Sequence, residues 1–151
     1  MKLSIYVRSF LWMPAVLTLT VGLSTVKATA QSIMYTPIQL PKGNEITDTL
    51  SPEDIPTGFG GFARDYRVYL ENGDQVAIDL VSDEFDTLVT LMSPEGNTVG
   101  ENDDGPDGTT NSLLFARITE SGTYTVRVRS YAGQGVGEFF LKVARLRPVQ
   151  Q

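Results

Sequence analysis

The chain has 151 residues, with 12 Lys and Arg against 18 Asp and Glu, a formal net charge of −6, and neither cysteine nor histidine. Without cysteine there are no disulfide staples and no lipid anchor on a cysteine. Without histidine the commonest general base and the commonest transition-metal ligand are both missing. A surface this acidic repels nucleic acid and anionic membranes, so neither is expected as a main partner.

The first thirty residues read as an export leader. Lys2 and Arg8 supply the positive start, Phe10–Leu23 the apolar run, and Ala28-Thr29-Ala30 the small-residue cleavage site before Gln31. That run is shorter than the roughly 20 residues a membrane span needs, and no membrane insertion is expected after cleavage. Removing residues 1–30 leaves 151 − 30 = 121 residues, one domain's worth. The three basic residues of the leader go with it, so nine face eighteen acidic ones and the charge becomes 9 − 18 = −9.

Residues 31–57 read as an extension rich in proline, with edge strands expected at Ser32–Leu40 and Glu45–Leu50 and a single helical turn near Ser51–Ile55. From there the apolar residues alternate. Arg64–Glu71 places Tyr66, Val68 and Leu70 on one face. Asn72-Gly73-Asp74 carries a hairpin signal, and the next segment places Val76, Ile78 and Leu80 together. Thr87–Ser93 is a more continuous apolar strand, followed by a turn at Ser93–Asn97. Ser112–Ile118 is a further strand. Thr123–Ser130 points Tyr124, Val126 and Val128 inward and Thr125, Arg127 and Arg129 outward. Glu138–Leu146 aligns Phe139, Leu141 and Val143. Short strands of period two with regular turn signals, and no apolar period of 3.6, predict an all-β antiparallel sandwich, jelly-roll-like, in a single domain over residues 58–146 with a tail at 147–151.

The densest chemistry lies in Glu101–Ser112, "ENDDGPDGTTNS". Carboxylates, asparagine amides and turn carbonyls are oxygen ligands suited to calcium. The candidate ligands are Asn102, Asp103, Asp104 and Asp107, with Asp86 from the preceding acidic loop. Calcium is the one cofactor the sequence suggests. The spacing is not that of an EF-hand, since the twelfth position from Asn102 or Asp103 is a leucine. The same residues also make ordinary turns, where Asp and Asn bond backbone N–H groups and Gly takes positive φ; both readings stand at this point. A hairpin from Thr87–Met92 into Thr98–Gly100 is expected to carry Asp86 and the Asp103 loop to opposite ends of the strand pair. No catalysis is expected. Asp103 and Asp104 sit on an open acidic loop with nothing apolar to raise a pKa, and Ser112 has no histidine to partner it.

Tyr69, Tyr131 and Phe140 fall on the outward phase or in a loop, and a covering segment is expected over them. Arg67, Arg127 and Arg129 also face outward, with Asp79, Glu71 and Glu138 as the expected cross-strand partners.

Taken in order, Asp65-Tyr66, Asn72-Gly73-Asp74, Phe85-Asp86-Thr87, Pro94-Glu95-Gly96, Asn102-Asp103-Asp104, Ser112 and Gly122-Thr123-Tyr124 resemble the bacterial pre-peptidase C-terminal domain over roughly Gly58–Val143. The resemblance implies a jelly-roll-like sandwich without catalysis of its own. It is a family in which some members bind collagen or polysaccharide and some bind calcium. Such domains usually follow a protease, whereas here the leader runs almost directly into the domain. The expectation is therefore an exported, free-standing binding or stabilising module of the periplasm, cell surface or extracellular space. Its expected partner is an extracellular protein or polysaccharide. The alternative is an envelope or matrix component that self-associates through calcium.

Overall fold

A computed structural model describes residues 35–58, 60–106 and 108–146. The expected leader and the tail at 147–151 lie outside the described residues. Among the described residues no helix is long and apolar enough to cross a membrane.

Among the described residues ten strands form two sheets: β1 Ile38–Gln39, β2 Glu45–Leu50, β3 Ile55–Pro56, β4 Phe62–Leu70, β5 Gln75–Val81, β6 Thr87–Met92, β7 Thr98–Asn102, β8 Ser112–Arg117, β9 Gly122–Ser130 and β10 Gly137–Leu146. The larger sheet runs β1-β4-β9-β6-β7, with β3 also on β4, and the smaller runs β2-β10-β5-β8. All pairings are antiparallel except β1 on β4. The fold is the all-β, jelly-roll-like sandwich that the alternation predicts.

The core forms where the two inward phases meet. Tyr66, Val68 and Leu70 of β4 join Tyr124, Val126 and Val128 of β9 and Val89 and Leu91 of β6. Opposite them lie Val76, Ile78 and Leu80 of β5 and Phe139, Leu141 and Val143 of β10, all buried. Phe139 meets Tyr66 edge-on at 6.1 Å between ring centroids, joining the sheets, and meets Phe85 at 6.4 Å. Such edge-to-face pairs add about 0.5–1.5 kcal/mol to the burial itself. Arg64 shares the inward phase at the rim of the sandwich. It bonds Asp48 of β2 at 2.9 Å and Asp54 at 2.6 Å, while the Tyr66 hydroxyl donates to the same Asp48 at 2.8 Å. Burial pushes the Asp48 carboxyl up, but the Thr49 amide, the Tyr66 hydroxyl and Arg64 together hold it below its ordinary value.

Three local expectations change. Asn72-Gly73-Asp74 does form a tight turn, with Gly73 at φ 93°. It is not a hairpin, because β4 and β5 pair with other strands in different sheets. Tyr66, Val68 and Leu70 of β4 and Val76, Ile78 and Leu80 of β5 form apolar faces, and folding one strand over the other buries them against each other, which side-by-side pairing does not. Ser51–Ile55 is a turn rather than a helical one: Asp54 turns back to accept the Ser51 amide at 2.8 Å, and Ile55 leaves at once as β3. The short 3-10 helix lies instead at Tyr131–Gly133. Within the described part of Ser32–Leu40, only Ile38–Gln39 is strand.

Candidate functional site

Strand alternation gathers the β5–β6, β7–β8 and β9–β10 connections at one end of the sandwich, and hydrogen bonds fasten them together. Ser82 Oγ donates to the Glu138 carbonyl at 2.7 Å and accepts the amides of Glu84 and Phe85. The Ser82 amide in turn donates to Asn111 Oδ1 at 3.0 Å. Thr87, fully buried, donates its amide to the Thr110 carbonyl at 2.9 Å and shares a 2.6 Å hydroxyl contact with Ser112. The Tyr131 amide donates to the Asp86 carbonyl at 2.7 Å. Glycine is required where the β9–β10 loop lies on the β5–β6 loop. A Cβ on Gly135 would fall inside Phe85, and one on Gly137, at φ 141°, inside Glu84.

This arrangement overturns the expected separation of the acidic groups. β6 and β7 do form a hairpin, with Val89 opposite Asn102, so the start of β6 and the end of β7 lie at the same end. Asp86, Asp103 and Asp104 therefore share one rim. Partial burial pushes the Asp86 carboxyl above its ordinary value, and the charges of Asp103 and Asp104 push it further.

Asn102 is committed to the loop itself, its Nδ2 donating to the carbonyls of Asp104 at 2.6 Å and Leu113 at 2.9 Å. Asp107 lies outside the described residues. Among the described residues no group of three or more acidic side chains is arranged to hold a metal ion. Ser112 is 1% exposed and bonded to Thr87, so its hydroxyl serves packing.

Above this rim, on the outer face of the larger sheet, lies a cleft of about 360 Å³. Phe62, Leu88, Glu101 and Arg129 line it, together with the glycine turns of the β3–β4 and β9–β10 loops. Arg129 donates through Nη2 to Glu101 at 2.7 Å, and its buried Nε has no partner among the described residues.

Farther along that face, Arg127 grips Asp65 with two bonds of 2.8 Å. The Asp65 side chain is fully buried, and Tyr35 closes over it by donating its hydroxyl to Oδ2. Burial and the Asp65 carboxylate push the Tyr35 hydroxyl up to about 12. The outward arginines thus pair with Asp65 and Glu101 rather than with Asp79, Glu71 or Glu138. Asp65 lies directly opposite Arg127 in the β4–β9 register, and Glu101 lies on β7, reached from Arg129 across the intervening β6. Arg67 has no ion pair among the described residues, as the salt bridges go to other basic groups.

The covering segment expected over the outward aromatics does not close on all of them. Tyr69 is 54% and Tyr131 49% exposed, whereas Phe140 is half-buried. Among the described residues the most exposed aromatic is one that the strand pattern gave no role, Phe115 of β8 at 63%. Its phase, shared with Leu113 and Arg117, was the available signal.

The model of the bacterial pre-peptidase C-terminal domain matches residues 63–130. Among solved structures, the pre-peptidase C-terminal domain of a collagenase from Bacillus anthracis is similar in fold at 13% identity. Its TM-score is 0.54, over 72% of this chain and 95% of that one. A periplasmic inhibitor of g-type lysozyme from Aeromonas hydrophila is similar at 16% identity, with a TM-score of 0.52 over 73% of this chain and 94% of that one. Among curated proteins none matches the sequence.

Proposed function

We propose that this chain, whose residues 63–130 form a bacterial pre-peptidase C-terminal domain, is an exported, non-catalytic module that works by binding. The observation that carries the reading is a complete core beneath large side chains that the fold does not use. Tyr69 and Phe115 stand more than half exposed, and Tyr131 nearly so, over a sandwich whose inward positions are already filled. Exposed aromatics on flat sheet faces or loop ends are suited to gripping a protein or a sugar. The expected leader supports export. The likeness to a periplasmic lysozyme inhibitor supports a role by contact, since a sandwich of this shape serves that protein as an inhibitor. The absence of histidine and cysteine from the sequence, and the spending of Ser112 on packing, support a role without catalysis. The partner in this reading is an extracellular protein or polysaccharide, met in the periplasm, at the cell surface or outside the cell.

The test is the mature protein's mass in solution together with its capture of envelope proteins or glycans. A monomer that retains a partner is the expected result. A partner-free oligomer that assembles only with calcium would replace this reading with the self-associating one.

Calcium belongs to the proposal as a stabiliser. Mutual repulsion of Asp86, Asp103 and Asp104 favours it, because a cation at that rim would relieve the strain. Binding with a dissociation constant of about 10 μM would add about 2.7 kcal/mol at millimolar calcium. Melting should then rise by several degrees over a chelator control, and Asp104→Asn should shrink that rise. An unchanged melting temperature removes calcium from the account.

A further inference from the structure

The outer face of the smaller sheet carries a feature that neither the core nor the acidic rim requires. Across β8, β5 and β10 the register sets Phe115 beside Ala77 and Ala144, and Arg117 beside Gln75 and Leu146. Across the strands Phe115 therefore faces only two alanines, while Leu113 and Arg117 flank it along β8. Phe115, Arg117, Gln75 and Leu146 line a shallow depression of about 310 Å³ together with Val76 and Ala116. Leu146, at 44% exposure, forms a second apolar wall.

Arg117 sets the charge of this place. Among the described residues Arg64, Arg127, Arg129, Lys142 and Arg145 each hold a carboxylate. Arg117, like Arg67 on the other sheet, holds none, and it is exposed. In a chain this acidic, a guanidinium between two exposed apolar side chains leaves a local positive charge that no carboxylate among the described residues neutralises. Phenyl and leucyl walls want an aliphatic side chain between them, and a guanidinium wants a carboxylate in bidentate geometry. Two apolar walls favour a peptide over a sugar, whose hydroxyls would face Leu146.

We propose that the Phe115–Arg117 depression docks a protein partner through a segment that places an aliphatic side chain within a few residues of an Asp or Glu. The aliphatic group packs between Phe115 and Leu146, the carboxylate takes Arg117, and Gln75 bonds the segment's backbone. This rests on the reading of the chain as a binding module and names the surface it uses. It can fail while that reading stands, if capture yields a partner that binds elsewhere.

The test is selection of a random dodecapeptide library on the immobilised mature protein. Enriched peptides should carry Leu, Ile, Val or Met close to Asp or Glu. Phe115→Ala should weaken them about tenfold or more, as expected of a central aromatic anchor. Arg117→Glu should switch the enriched charge to Lys or Arg, while Thr123→Ala, exposed on β9 of the other sheet, leaves binding unchanged. Phe115 is exposed, so its variant should melt with the wild type, which separates lost binding from lost fold. Four results would overturn the proposal: no enrichment, enriched peptides without an acidic residue, equal binding by Phe115→Ala, or a wild-type dimer that Phe115→Ala converts to monomer. The last would give the face to a second copy.

Discussion

The two outer faces of the sandwich treat the same kind of residue in opposite ways. On the larger sheet, Arg127 meets Asp65 in register, and Tyr35 covers the pair. On the smaller sheet, Arg117 lies opposite Gln75, has no carboxylate, and stands beside the most exposed aromatic ring of the described residues. The first arrangement is part of what holds the fold. The second has no ion pair and no buried anchor among the described residues. That contrast separates side chains paired within the fold from side chains that stand unpaired among the described residues, the ones proposed above to meet a partner.

Removing Asp65 should have the largest effect. Asp65→Ala leaves the Arg127 charge mostly buried and unpaired, and about 3 kcal/mol of stability should be lost in urea denaturation. That is the low end of what breaking a buried pair costs, because Arg127 keeps partial contact with water. A loss under about 1 kcal/mol would mean that the covered face is no more structural than the open one. Tyr35→Phe should cost about 1 kcal/mol, the net value of one hydrogen bond to a charged group at a half-exposed site.

The same contact has a pH signature. The folded Tyr35 pKa of about 12 lies above the ordinary tyrosine value of 10. The stability it contributes is therefore complete below pH 10 and disappears as pH rises through 12. Thermal melts across that window should fall less steeply for Tyr35→Phe than for the wild type. Equal slopes would detach Tyr35 from Asp65.

Asp86→Asn should raise the melting temperature slightly in chelator. Its charged form is disfavoured in the folded state, first by burial and then by Asp103 and Asp104. The smallest effects belong to the open face, where Arg117→Ala and Phe115→Ala should each move stability by no more than about 0.5 kcal/mol. A loss of 2 kcal/mol at either position would make that face structural too and erase the contrast.

The strands and their inward faces were legible because period-two alternation is local: Tyr66, Val76, Tyr124 and Phe139 all lie where the pattern puts them. What connects the strands was less legible. Asn72-Gly73-Asp74 has the chemistry of a hairpin, but partner choice depends on which apolar faces must meet, and that is decided by the whole sheet. Arg127 could not be assigned to Asp65 without the β4–β9 register, since the two residues are 62 positions apart. The acidic residues were evident from composition. Their convergence was not, because it depends on a hairpin beginning and ending on the same side. Phe115 was in the pattern, but whether anything covers an outward ring is a property of distant chain.

The most direct test of the account places a photo-crosslinking phenylalanine analogue at position 115 or at position 123, on the outer face of the other sheet, in cells that export the protein. A discrete crosslink to a second protein from position 115, absent from position 123 and lost with Arg117→Glu, is the predicted result. Silence at both positions, or the same bands from both, would contradict the claim that the fold leaves one face open for a partner.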